Sequence, residues 1–155
     1  MKTIQELHTL LSGIHPSEID RLFHEEADSF FAEEHAFSRY IRSVFRKNRI
    51  TMRDLFRRAD IPEHYGYKLL GQEVSTRQRD TLLRVFYSGG FTFEESNTAL
   101  ALYRMPSLYA RIPRDAALIT VFHAGWRDID QINSFLTAHG FEGLRPCGEH
   151  GDPLG

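Results

Sequence analysis

Apolar side chains recur three and four residues apart along most of the chain, and this periodicity limits the fold more than any other feature. Phe37, Ile41 and Phe45, for example, form one stripe at helical spacing. Sustained period-two alternation is nearly absent, and no Asn-Gly or Asp-Gly pair separates two β-branched runs. With 12 Phe, 6 Tyr and 1 Trp among 155 residues, the chain can fill a hydrophobic core. The sequence therefore predicts an all-α fold, a helical bundle.

One part of the chain is repeated after 35 to 36 residues. Residues 79–83 (RDTLL) match residues 114–118 (RDAAL), and one inserted residue near position 127 keeps the later matches aligned. The further matched pairs are Gly90 and Gly125, Asn97 and Asn133, Leu100 and Leu136, and Leu108 and Leu144. Each copy predicts a helix, a turn at Gly and an aromatic residue, and a capped second helix. We expect two helical hairpins that cover each other's apolar faces.

Charge is distributed unevenly along the chain. The formal net charge is −2, but residues 1–35 carry −6, residues 36–86 carry +7 and residues 87–155 carry −3. Eight cations lie between positions 39 and 58, where Asp54 is the only acid: Arg39, Arg42, Arg46, Lys47, Arg49, Arg53, Arg57 and Arg58. Arginine forks match phosphate oxygens, so the middle segment is predicted to bind a polyanion. The alternative is a solvated helix face whose arginines pair with nearby acids.

Residues 51–70 predict two short helices joined by a tight turn at Asp60-Ile61. Thr51 and Asp54 have the spacing of a capping box. Pro62 and Glu63 suit the first turn of the second helix, at 62–70, and Gly71 suits its end. Helices are also predicted before this unit, at about 36–48, and after it, at about 76–88. This order is typical of a helix-turn-helix unit.

The arrangement resembles the lambda-repressor-like, or XRE-type, DNA-binding domain over about residues 36–104. The apolar positions of the motif are filled by Ile50, Leu55, Ile61 and Leu69. Over its whole length the chain is also similar to a family of small XRE-like proteins of Clostridia-type Gram-positive bacteria. The segments that carry this second resemblance are 10–14, 65–70, 77–80 and 108–115.

Three positions depart from the XRE pattern. Phe56 replaces a small alanine, Asp60 replaces glycine, and Gly66 replaces a branched aliphatic residue. A phenylalanine at the helix crossing would push the two helices apart unless Gly66 makes room for it. Glycine inside a helix costs about 1 kcal/mol relative to alanine, which favours a packing purpose for Gly66.

The XRE resemblance implies that the 62–70 helix faces the major groove. The implied candidates for contacts with base edges are His64, Tyr67 and Lys68. The resemblance implies Arg53, Arg57 and Arg77 as candidates for phosphate contacts, and the basic cluster adds Arg46 and Arg49. The leading hypothesis is a bacterial DNA-binding transcriptional regulator whose partner is double-stranded DNA, and a homodimer on two half-sites stays open. The alternative is a protein–protein adaptor with a degenerate helix-turn-helix and no base readout.

The predicted organisation has four parts. They are an acidic helical extension at 1–35, a helix-turn-helix bundle at 36–90, a hairpin repeat on the same core at 91–144, and a flexible tail at 145–155. Glycine-rich phosphate loops, a nucleophile elbow and paired metal-ligand spacings are absent, so the sequence predicts no enzyme, cofactor, catalytic residue or metal site. A single cysteine, the lack of an apolar run of about 18 residues and the lack of a secretory signal predict a cytoplasmic protein without membrane association.

Overall fold

The structure is a computed structural model and describes residues 1–31 and 34–147. These residues contain nine α-helices and no strand, which confirms the predicted all-α class. The helices are α1 (Ile4–Ser12), α2 (Ile19–Glu25), α3 (Ala36–Lys47), α4 (Met52–Ala59), α5 (Glu63–Leu70), α6 (Arg79–Ser88), α7 (Phe93–Leu102), α8 (Pro113–Ala124) and α9 (Ile129–Ala138). The chain divides into two compact units, Met1–Ala36 and Phe37–Gly155. In the described part, no helix combines the length and apolarity needed to cross a membrane.

The first unit buries little apolar surface. Thr3 and Glu6 form a complete capping box at the start of α1, yet no residue of α1 is buried. A short 3₁₀ turn, Pro16–Glu18, leads into α2, where Leu22 is 5% exposed. This unit therefore rests on a small set of contacts around α2.

The second unit is built around α6. Every residue of this helix from Asp80 to Ser88 is buried, and α4, α7 and α9 all pack against it. The apolar stripe of α3 faces the same core through Phe37, Ile41 and Phe45, which are 3% exposed or less. The helix begins at Arg79 rather than near residue 76, because the Gln78 N–H bonds to Thr76 Oγ1 at 3.0 Å outside the helix.

The two hairpins, α6–α7 and α8–α9, repeat the same local bonds. Gly90 and Gly125 follow the first helix of each hairpin with φ of 72° and 74°, the left-handed region that glycine enters without strain. The side-chain oxygens of Asn97 and Asn133 accept the N–H groups of Leu108 and Leu144 at 3.0 and 2.7 Å. The matches found in the sequence thus correspond to equivalent positions in space.

The repeated Arg-Asp dipeptides bind each other crosswise. The guanidinium of Arg79 donates to both carboxylate oxygens of Asp115, at 2.5 and 3.1 Å. Arg114 donates in the same way to Asp80, at 2.9 and 3.1 Å. The Asp115 and Asp80 side chains are only 2% and 10% exposed, where two-pronged pairing is strong. The hairpins therefore exchange equivalent contacts, as the two halves of a symmetric interface do.

The tail predicted at 145–155 is only partly described, because residues 148–155 lie outside the described residues. The peptide groups of Arg145 are bound within the second unit. Its N–H donates to Asp80 Oδ2 at 2.9 Å, and its carbonyl accepts from Arg84 Nε at 2.8 Å.

Candidate nucleic-acid interface

Helices α4 and α5 pack together through a connection of three residues. Asp60 ends α4 with φ 57° and ψ 51°, a left-handed conformation that aspartate tolerates better than most residues. Glycine enters this left-handed region without strain, and the XRE pattern prefers glycine at this position. Pro62 lies at the N-cap and α5 begins at Glu63, one residue later than predicted. Gly71 caps the end of α5, as predicted.

The capping box predicted at the start of α4 is only half formed. Thr51 Oγ1 accepts the Asp54 N–H at 3.3 Å. The Asp54 carboxylate turns away from Thr51 and binds Arg57 Nη2 at 2.5 Å and Arg58 Nε at 2.8 Å. Two charged donors three and four residues ahead bind a carboxylate more strongly than one backbone N–H does.

The large and small residues at the helix crossing fit each other. A Cβ atom at Gly66 would lie 2.6 Å from Phe56 Cδ1 and 2.8 Å from Phe56 Cζ, closer than any real Cβ contact. The Phe56 side chain is 2% exposed, and the Tyr67 ring packs edge-on against it at 5.1 Å. Glycine therefore makes the room that the phenylalanine needs, and two departures from the XRE pattern compensate each other.

The outer face of α5 carries the predicted base-contact residues. His64 is exposed, Tyr67 is 52% exposed and Lys68 is half-buried. Gly66 and Leu69 on the opposite face are buried. The helix thus presents His64 and Tyr67 outward, whereas Lys68 is less accessible than they are.

Two of the predicted phosphate-contact arginines belong to α4 and lie beside the start of α5. Arg53 and Arg57, on α4, line a groove of about 520 Å³ together with Pro62 and Glu63. Both arginines are exposed, and they share one side of α4 because they are four residues apart. The groove is also lined by Asp60, so its two arginines are matched by two carboxylates, Asp60 and Glu63.

Among the described residues, carboxylates pair with at least three of the eight clustered cations, which corrects the sequence-based view of an almost unopposed charge. Arg57 and Arg58 share Asp54. The hydrogen bond from Arg58, followed by that from Arg57, holds the pKa of this carboxyl below its usual value. Lys47 pairs with Glu95, whose side chain is 15% exposed. Burial raises the pKa of Glu95, but the bonds from Lys47 and Thr92 outweigh it and leave this pKa lowered.

The remaining predicted phosphate contacts are exposed and separate in the chain. Arg46 lies in the last turn of α3, Arg49 lies between α3 and α4 with φ 57°, and Arg77 lies between α5 and α6. Within residues 1–31 and 34–147, neither these three nor Arg53 forms an ion pair. These four arginines contribute uncompensated positive charge to the region.

Sequence reasoning missed Arg84, a cation inside the second unit. Its residue is 4% exposed, and its guanidinium donates to the carbonyls of Ala59, Leu144 and Arg145 at 3.1, 2.7 and 2.8 Å. Burial lowers the pKa of Arg84, an effect that Asp60 and Asp80 oppose. Arg84 therefore ties the end of α4 to the segment after α9. No local pattern marks this role, because the bonded carbonyls are 25 to 61 residues away.

The comparisons with known proteins add no relative. The chain matches no protein-family model, no curated protein and no solved structure. In the part of the chain that is described, no group of three or more His, Cys, Asp or Glu side chains could hold a metal ion.

Proposed function

We propose that the chain is a DNA-binding transcriptional regulator of bacterial type, with an XRE-like unit formed by α3 to α6. Helix α5 enters the major groove, and arginines of α3, α4 and the following loop neutralise phosphates. The observation that carries the proposal is the position of Arg53 and Arg57 beside the start of α5, whose outer face exposes His64 and Tyr67. A regulator of this kind works in the cytoplasm, where it reaches the chromosome.

The residues divide into two roles. His64 and Tyr67 contact base edges because they project from the outer face of α5, and half-buried Lys68 reaches the rim of the groove. The five phosphate candidates are Arg46, Arg49, Arg53, Arg57 and Arg77. Phosphate contacts set the orientation on the duplex, and base contacts choose the sequence.

A salt titration on duplex DNA of random sequence tests the proposal. Five neutralised phosphates contribute a slope of about −4.5 to the logarithm of affinity against the logarithm of salt concentration. That slope corresponds to a loss of about 500-fold in affinity between 50 and 200 mM salt. Fluorescence anisotropy of a labelled duplex measures both quantities.

A matched pair of variants locates the contacts. Arg53→Gln removes a cation beside α5 and should flatten the slope by about 0.9. Arg111→Gln removes an exposed arginine from the loop before α8 and should leave the slope unchanged. The regulator proposal fails if the wild-type protein binds no duplex at low salt, or if both variants act alike.

Base readout needs a second measurement, because random duplex reports phosphate contacts alone. Selection of bound sequences from a randomised pool should return a preferred motif for the wild-type protein. His64→Ala and Tyr67→Ala should relax that motif at one position each, at a cost of about 1–3 kcal/mol for a good base contact. The salt slope of both variants should stay at the wild-type value.

The second candidate function is a protein–protein adaptor. Its support is the exposed apolar surface of the segment before α8, where Tyr109 is 56% and Ile112 is 48% exposed. The carboxylates of Asp54, Asp60 and Glu63 near α5 also oppose a phosphate surface. Absence of duplex binding at low salt, together with loss of partner binding on Tyr109→Ala, favours the adaptor.

A further inference from the structure

A second basic groove lies at the junction of the two repeated hairpins. Arg77 and Arg145 line this groove, which has a volume of about 360 Å³. Arg79 and Arg114 also line it, but their charges are neutralised by Asp115 and Asp80. Arg77 and Arg145 are exposed and form no ion pair with any described residue. Two free guanidinium groups thus face one groove.

The backbone beneath the Arg145 side chain is held on both sides. Its N–H donates to Asp80 and its carbonyl accepts from Arg84, whose guanidinium also bonds to the carbonyl of Ala59 at the end of α4. Because these bonds fix the peptide before any ligand arrives, a contact made by Arg145 costs less ordering entropy than one made from a mobile tail.

The segment Arg145–Cys147 connects the two grooves. Arg145 lines the groove of Arg77, and Cys147 lines the groove of Arg53 and Arg57 beside α5. Two residues of extended chain span at most about 7 Å. The two sets of phosphate candidates therefore border one short segment.

The two hairpins carry different side chains at the positions of Arg77 and Arg145, and we take this difference as a sign of function. The repeat aligns Arg77 with Ile112 and Arg145 with Tyr109. The Tyr109 N–H donates to Asp115 in the same way as the Arg145 N–H donates to Asp80. The backbone of Tyr109 is therefore bound like that of Arg145, although the two side chains differ. At these two aligned positions, arginines line the groove beside Arg145–Cys147, whereas their counterparts in the repeat are Ile112 and Tyr109.

We propose that Arg145 is a further phosphate-contacting residue and that Arg145–Cys147 forms one edge of the DNA interface. This inference rests on the proposed function, because it takes the sugar-phosphate backbone of duplex DNA as the ligand. The Arg145 and Arg77 forks bind phosphate oxygens of the strand that flanks the groove occupied by α5. Glu142 also lines this groove and forms no ion pair with a described residue. Its negative charge weakens the contact between these arginines and phosphate.

The test is a salt titration of the full chain on random duplex DNA. Arg145→Gln keeps the bound backbone and should flatten the slope by about 0.9, as Arg77→Gln should. Glu142→Gln should act in the opposite direction and raise affinity roughly 1.5- to 5-fold, the range of an exposed charge interaction. Arg111→Gln is the control, and thermal unfolding of every variant should match that of the wild-type protein.

The outcomes separate the two proposals. If the wild-type protein binds and Arg53→Gln flattens the slope while Arg145→Gln behaves like Arg111→Gln, the inference on Arg145 is wrong and the regulator proposal survives. If the wild-type protein does not bind duplex DNA, both are wrong. A flatter slope with Arg145→Gln at unchanged stability supports the inference.

Discussion

Replacing Gly66 by alanine probes the contact that positions α5 on α4. The new methyl group would lie 2.6 and 2.8 Å from two carbons of the Phe56 ring. Carbon atoms in contact normally lie about 3.5–4.0 Å apart, so the overlap is about 1 Å. The ring cannot move easily, because it is 2% exposed and has Tyr67 against it.

Two opposing effects set the size of the change. Extra methyl groups in a packed core cost about 1–3 kcal/mol, and a ring without space to move favours the upper end. Alanine in place of glycine returns about 1 kcal/mol of helix propensity. We therefore expect Gly66→Ala to lower the free energy of unfolding by about 2 kcal/mol. The melting temperature should fall by about 4–8 °C.

A double-mutant cycle provides the control. Phe56→Leu shortens the side chain that the methyl group meets, at a cost of about 1–2 kcal/mol by itself. In that background the overlap is relieved and the helix-propensity gain of about 1 kcal/mol remains, so Gly66→Ala should stabilise by about 1 kcal/mol. The coupling between the two changes should then be about 3 kcal/mol. Urea unfolding followed by circular dichroism measures all four proteins. The packing argument is refuted if Gly66→Ala stabilises the wild-type protein, or if its cost is the same in both backgrounds.

Three other predictions concern charged groups. Asp115→Asn should lower the free energy of unfolding by about 2–3 kcal/mol, because it leaves the 21%-exposed Arg79 without its carboxylate. A urea midpoint equal to that of the wild-type protein would contradict this prediction. The lowered pKa of Glu95 means that its contact with Lys47 stabilises the fold above the ordinary value of 4.5, and this stability is lost as pH falls through the folded-state pKa. Unfolding of Glu95→Gln and of the wild-type protein between about pH 3 and 7 should therefore converge at the acid end, and a constant difference would exclude the linkage. Asp54→Asn frees Arg57 and Arg58 from their carboxylate and should raise duplex affinity roughly 1.5- to 5-fold with a steeper salt slope. An unchanged slope in the anisotropy titration would count against these arginines as phosphate contacts.

Much of the secondary structure was accessible from the sequence because its causes are local. The glycine pair at 90 and 125 marks equivalent turns, because a left-handed φ depends on the backbone freedom of one residue. Gly71 caps α5 with an ordinary φ of −83°. The sequence also predicts that Phe56 fits only if Gly66 makes room for it, since both residues lie at the crossing of two adjacent helices. The three-residue spacing of Asp54 and Arg57 also fits an ion pair on one helix face, which competes with the capping box for the same carboxylate.

The helical class, the repeat and the local helix ends follow from the order of the residues, since side-chain periodicity and capping act over a few residues. Which charges find a partner depends instead on how the helices pack. Lys47 meets Glu95 48 residues away, and Arg84 holds the peptide of Arg145 61 residues away. Such partners are chosen when the helices pack, because a buried charge must find its acceptor wherever the fold brings one near. Of the arginines proposed to meet DNA, Arg46, Arg49, Arg53 and Arg77 form no ion pair with a described residue, and Arg57 shares Asp54 with Arg58.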